Sequence, residues 1–159
     1  MMRLPGTLTI AAVGKLRTSH WRAAQQDYLQ RLRRYVKVSL VEVRDVVGGP
    51  LPDEVAMVRE GSALMQATRQ AAWTIALDVT GEQLDSEGLA NDVRRHIEIH
   101  RDLAFIIGGP VGLSQELLAS CNARLSLSPL TLPHELARVV LLEQLYRAMT
   151  ILGGERYHK

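Results

Sequence analysis

One cysteine in 159 residues, Cys121, leaves this chain no internal disulfide framework. A lone cysteine of this kind is ordinarily a small core residue. Long apolar runs are missing as well. Stretches such as 103–107 and 139–142 fall far short of the roughly 20 residues that span a bilayer. The apolar run at 8–13 is short, reads better as a strand, and has no small-residue cleavage site after a long apolar region. No membrane segment and no secretory leader are therefore expected, and a cytoplasmic location follows.

Several familiar chemistries lack their residues. Metal sites need clustered His, Cys or carboxylates. The histidines (His20, His96, His100, His134, His158) fall in different elements, and the His96/His100 pair, four apart on one helix, has no third ligand and is expected to face solvent. No metal is expected. There is no G-x-S-x-G elbow for a serine nucleophile. The segment Gly108-Gly109-Pro110-Val111-Gly112-Leu113-Ser114 lacks the Gly-Lys-Ser/Thr ending of a P-loop, and its adjacent glycines break the dinucleotide fingerprint.

What is present suits one globular domain spanning 1–159: 47% apolar and 23% charged residues, enough to bury a core. The net charge of +2 hides an asymmetry, with +7 over residues 1–44, −6 over 45–100 and +1 over 101–159. A basic end could meet a polyanion; it could equally be a solvated helix.

The pattern along the chain alternates. Strands are expected at 7–13, 38–43, 74–78, 103–107 and 124–127, the fourth apolar enough to be buried on both faces. Between them lie helical patterns. Residues 21–35 set Trp21, Ala24, Tyr28 and Leu32 on one face. Residues 53–72 start at Asp53 and turn Val55, Val58, Leu64 and Met65 toward the core. Residues 87–100 are capped by Ser86, and a short helix to about 120 by Ser114. The last helix opens at Pro133 and stops at Gly153-Gly154. Such alternation predicts an α/β fold: a mostly parallel sheet with helices on both faces.

Ligands of such sheets sit at the carboxyl ends of strands. That rule selects the end of the third strand at Leu77-Asp78, the 108–112 loop and the 127–133 loop. Glycines after a buried strand let backbone approach a ligand, or simply make a tight turn. Ser126-Leu127-Ser128-Pro129-Leu130-Thr131-Leu132-Pro133-His134 is apolar yet irregular. An adenine-like ligand could cover it, or its own domain or a partner subunit could. The ending Glu155-Arg156-Tyr157-His158-Lys159 is either a frayed polar end or a nucleotide contact.

Taken together, Phe105-Ile106-Ile107, the Gly108–Ser114 loop, Leu127–His134, the stretch Arg138-Val139-Val140-Leu141-Leu142-Glu143-Gln144-Leu145-Tyr146-Arg147-Ala148, Tyr157-His158-Lys159, Val13-Gly14-Lys15-Leu16 and Leu77-Asp78 resemble the RlmH family. These are SPOUT-class methyltransferases acting on N3 of a pseudouridine in 23S ribosomal RNA. The resemblance covers essentially the whole chain. It implies an α/β knot at the C-terminus, a homodimer with its active site near the subunit interface, and S-adenosylmethionine as cofactor. Cofactor contacts carry over onto Leu77, Gly108, Leu127, Ser128, Pro129, Leu130, Thr131 and Leu132. The aligned sulfonium needs little activation, but N3 carries a proton that must leave. Tyr157, His158 and Arg156 are the candidates for that chemistry. Arg31, Arg33, Arg34, Arg138, Arg147 and Lys159 are candidates for holding RNA, Arg138 and Arg147 having the alternative of pairing with Glu135 and Glu143. The expected partner is 23S rRNA within the ribosome. A ribosome-associated binding factor without catalysis and a SPOUT enzyme acting on tRNA are the rival functions.

Overall fold

The computed structural model describes residues 2–158, the side chain of His158 excepted. Its frame is β1 (Thr7–Val13), β2 (Lys37–Val43), β3 (Trp73–Glu82), β4 (Asp102–Ile107) and β5 (Ala123–Leu125). They form one sheet in the order β2-β1-β4-β3-β5, with every pairing parallel. The helices are α1 (Ser19–Leu32), α2 (Asp53–Ala67), α3 (Ser86–His100), α4 (Gln115–Ser120) and α5 (His134–Leu152), followed by a 3-10 turn at Arg156–His158. The expected α/β fold is what the chain adopts.

Parallel pairing explains the sequence of β4. It lies between β1 and β3, with Ile10 beside Phe105 and Ile75 beside Phe105 in the ladder. Both of its faces are covered by helices, so Leu103–Ile107 is apolar throughout. One face packs Leu29 and Leu32 of α1, Leu89, Val93 and Ile97 of α3, and Leu141, Leu142, Leu145 and Met149 of α5. The other packs Leu64 of α2 and Leu117 of α4 against Ala11, Val13 and Ile106.

The second face corrects one expectation. Val55 and Val58 do not enter the core; they are 44% and 39% exposed. The buried stripe of α2 is instead Ala56, Glu60, Gly61 and Leu64. Small residues win there because α4 lies close: a Cβ on Gly61 would come within 2.7 Å of Ser114 Oγ. Helix α2 also ends early, at Ala67, where the Thr68 hydroxyl donates to Leu64 O at 2.8 Å. Helix α3 is capped by Asp85 rather than Ser86, its carboxylate accepting from Gly88 N at 2.7 Å. Ser114 does cap α4, accepting from Leu117 N.

Two further departures lie at the carboxyl edge of the sheet. Strand β3 runs four residues beyond the expected end at 78, yet it leaves the ladder in between: Leu125 pairs with both Leu77 and Glu82. Residues 78–81 therefore bulge out. Gly81 closes the bulge, since a Cβ there would meet Arg124 backbone at 2.7 Å. Strand β5 stops at Leu125, so Ser126 and Leu127 are freed for the loop before α5.

A candidate active site at the carboxyl edge of the sheet

The carboxyl ends of β3 and β4 and the loop after β5 converge on one cavity of about 490 Å³. That size lies in the range of ligand pockets, about 300–1,000 Å³. Its walls include Leu77, Gly108, Leu127, Ser128, Leu130, Thr131 and Leu132, brought from three separated segments. Of the eight expected cofactor contacts, only Pro129 is missing from the lining; it lies exposed on the loop between Ser128 and Leu130.

Each wall is shaped by local chemistry. After β4, Gly109 and Gly112 form an isolated antiparallel bridge, and Gly112 N donates to Gly109 O at 3.0 Å. Gly112 has φ +85, and a Cβ on Gly108 would lie 2.8 Å from the Gly112 carbonyl carbon. The glycines thus make a tight turn and, by the same lack of side chains, leave backbone bare toward the cavity. In the loop before α5, Ser126 Oγ donates to Ser128 O, and Leu130 N donates to Ser128 Oγ, each at 3.0 Å. The hydroxyls therefore hold the loop's shape from within. Leu130 is 74% exposed and, with Val79 and Val111, gives the cavity an apolar rim that solvent reaches. Exposed apolar rims of this kind mark binding sites.

A second hollow of about 590 Å³ lies along the same edge, at the ends of β1 and β2. It is lined by Gly14, Lys15, Arg17, Glu42, Arg44, Asp45 and Glu135 among others, and shares Pro110 and His134 with the first cavity. Beneath it lies Arg138. This arginine was expected to hold RNA or to pair with Glu135, and the structure corrects both expectations. It is only 2% exposed, and its guanidinium donates to Glu42 Oε2 (2.6 Å), Gln25 Oε1 (3.3 Å), Val13 O (3.2 Å) and Gly14 O (2.8 Å). It ties α5 to α1 and to the ends of β1 and β2. Glu135 instead accepts from Arg17 N, Thr18 N and the Thr18 hydroxyl. Burial opposes ionisation of Glu135, but the bonds from Thr18 and Arg17 outweigh it and hold the carboxyl below its usual range.

The C-terminal candidates lie elsewhere. Neither Arg156 nor Tyr157 lines either hollow of its own chain. Tyr157 packs on α5, 4.8 Å from the Tyr146 ring, with Arg147 above it at 5.2 Å, and its hydroxyl donates to Glu143 Oε1 at 3.1 Å. Burial, then hydrogen bonding with Tyr28 and Glu143, pushes its phenol up to about 12. Near neutral pH it is a neutral O–H donor rather than a base. Arg147 pairs with Glu143 at 3.0 Å, the alternative to a role on RNA. Arg31 pairs with Asp27 at 2.9 Å and lies over Tyr28 and Tyr146. Arg33 and Arg34 are exposed beyond the end of α1. Lys159 and the His158 side chain fall outside the described residues.

The histidine pair of α3 also departs from expectation. His96 is buried and stacked on Trp73 with ring centroids 4.4 Å apart, and His100 stacks on the same ring at 4.8 Å. Among the described residues, no group of three or more His, Cys, Asp or Glu could hold a metal ion, and no helix is long and apolar enough to cross a membrane. Sequence reasoning missed Glu42, Gln25 and Asp45. The one available signal was Glu42 itself, a carboxylate flanked by valines near the end of the second strand.

Comparison with known proteins adds to this geometry. The family model described as "Predicted SPOUT methyltransferase" matches residues 7–158. The ribosomal RNA large subunit methyltransferase H of Anaeromyxobacter dehalogenans is 44% identical over 155 residues, covering 96% of this chain and 99% of the relative. The protein of the same name from Alkaliphilus oremlandii is 35% identical over 157 residues, with 96% and 99% covered. Among solved structures, a methyltransferase from Legionella pneumophila in complex with the bound cofactor SAM superimposes with a TM-score of 0.54 at 15% identity, covering 92% of this chain and 68% of that one. At that identity the likeness concerns the fold alone.

Proposed function

The chain belongs to the SPOUT methyltransferase family, and from that premise we propose that it transfers a methyl group from S-adenosylmethionine to N3 of a pseudouridine in 23S ribosomal RNA, on the assembled ribosome. The observation that carries this reading is the cavity at the ends of β3, β4 and β5, which is lined by seven of the eight residues expected to hold the cofactor, brought from three distant segments. The chain's own residues suit an adenosyl group. Leucines 77, 127, 130 and 132 offer apolar walls, and the bare backbone at Gly108 admits close approach. When bound, the sulfonium supplies a methyl group already activated for transfer. The protein's task is then alignment of donor and acceptor and a path for the N3 proton.

We read the enzyme as a homodimer. Arg156 and Tyr157 do not reach the cavity of their own chain, so a tail that serves the acceptor does so at the cavity of a second copy. The exposed rim of Val79, Val111 and Leu130 supports a partner there. Tyr157 would donate a hydrogen bond; His158 and Lys159 belong to the same proposal. The knot belongs to it too, supported by two loops that α4 and β5 separate in sequence yet one cavity unites. Arg33 and Arg34, with Arg31 steadied by Asp27, form the cationic face for rRNA. Arg147, half-buried beside Glu143, stands at its margin. The location is cytoplasmic, where that RNA is.

Two measurements test the reading. Calorimetric titration with S-adenosylmethionine is expected to show binding; no heat would favour a ribosome-associated factor without catalysis. Incubation with ribosomes from a strain lacking the modification, followed by mass mapping, is expected to add one methyl group to a pseudouridine of 23S rRNA. Methyl transfer to tRNA instead would replace this substrate.

A further inference from the structure

The two hollows differ in chemistry but meet at one wall. The first is built of leucines and bare backbone. The second carries Lys15, Arg17 and Arg44, all exposed. Lys15 and Arg44 make no ion pair among the described residues, and Arg17 has only Asp45 at 3.8 Å. Arg138 neutralises Glu42 from beneath, so these three cations face Asp45 and Glu135 alone. Glu135 is already occupied by the backbone of Arg17 and Thr18. Asp45 keeps only its long contact with Arg17, and its side chain is 31% exposed, so its carboxylate is open to a ligand. The backbone at Gly14 is left-handed, φ +73, a conformation that favours glycine where β1 gives way to the hollow.

We propose that this second hollow is the acceptor-nucleotide subsite, with phosphate on Lys15, Arg17 and Arg44, the base against Pro110 and His134, and a ring N–H donated to the exposed side of the Asp45 carboxylate. The inference rests on the methyltransferase reading and specifies where its acceptor sits. Direct transfer requires donor and acceptor atoms about 3–3.5 Å apart before reaction. Only neighbouring sites satisfy that, and Pro110 and His134 line both hollows. Cations suit phosphate, and a carboxylate acceptor suits a base edge that offers N–H groups. A uracil-like imide offers one, and a C-linked uracil offers a second at N1. Arg138 is a positioning residue: it fixes the ends of β1 and β2 against α5, four residues from His134 on that helix.

The test is amide chemical-shift mapping on the dimeric protein saturated with S-adenosylhomocysteine, which keeps the first cavity filled while pseudouridine 5′-monophosphate is added. Shifts are expected at 13–17, 42–45 and 134–135. The double variant Lys15→Glu/Arg44→Glu should weaken them at least tenfold, while S-adenosylmethionine affinity stays within twofold and Arg94→Glu on exposed α3 has no effect. Asp45→Ala should weaken pseudouridine monophosphate more than uridine monophosphate. No shifts at millimolar nucleotide, shifts centred elsewhere, or a double variant that binds as wild type would overturn the proposal. Ribosome methylation by the same wild-type sample is read separately. Its absence would remove the functional reading, whereas methylation without these shifts would remove this inference alone.

Discussion

The carboxyl ends of β3, β4 and β5 present Leu77, Gly108 and Leu127, whereas those of β1 and β2 present Gly14, Lys15, Arg44 and Asp45. Both groups belong to one edge of one parallel sheet, and both face the start of α5. The first side gains its shape from what it lacks: side chains at 108, 109 and 112, and ladder pairing at 78–81. The second gains its shape from a buried ion pair, Arg138 with Glu42. One side can therefore accept a ligand through backbone and apolar contact, and the other through charge. A parallel sheet brings strand ends together but leaves their chemistry to whichever residues follow each strand.

Substitutions can break this contrast on one side at a time. The largest effect is expected from Arg138→Met. It leaves Glu42 without its cation and the carbonyls of Val13 and Gly14 without a donor, and should cost about 3 kcal/mol in urea unfolding. Adding Glu42→Gln should recover part of that loss. A single variant as stable as wild type would deny the pair its role in shaping the polar side. Next comes Gly108→Val. The new side chain meets Gly112 backbone, so S-adenosylmethionine affinity measured by calorimetry should fall about 100-fold, or about 2.8 kcal/mol. The nucleotide-induced shifts at 13–17 should remain. Loss of both together would mean that the two hollows are not separable.

The smallest effect lies away from both. Burial lowers the His96 pKa; Arg95 and His100 act in the same direction, and Asp92 opposes them. The unfolded chain, with an ordinary value near 6.5, then binds a proton before the folded one does. Stability is fully present above that value and declines as pH falls toward the folded pKa. Melting temperatures at about pH 7.5 and about pH 5.5 should fall further for wild type than for His96→Gln, with cofactor affinity alike in both. Equal slopes would assign the acid sensitivity to other groups.

The elements were legible because each obeys a local rule. The unbroken apolar run of β4 and the three-and-four spacing of Trp21, Ala24, Tyr28 and Leu32 needed no partner to be read, although the residues that α1 buries fully are Gln25, Leu29 and Leu32. The segments of the first cavity were legible for a related reason, since turn glycines after strands and an apolar loop with prolines are local signals. Three features were not. Val55 and Val58 fit a helical stripe as well as Ala56 and Gly61 do, and only the approach of Ser114 decides between them. His96 and His100 could face solvent or an aromatic until Trp73 is placed beside them. Arg138 finds its carboxylate 96 residues away, where no spacing rule reaches.

The sequence by itself determined the order of strands and helices, the parallel class of the sheet, and the family resemblance that rests on whole motifs. These depend on periodicity and on short stretches whose chemistry is complete within a few residues. Only the tertiary structure decided which residues share the second hollow and where it meets the first: Lys15 with Asp45, and Pro110 and His134 with both hollows. The reason is physical. Backbone conformation is set mainly by near neighbours, whereas a cavity is made by surfaces that meet after the sheet has closed, and its charge is settled by pairs such as Arg138 and Glu42 that exist only once the core excludes water.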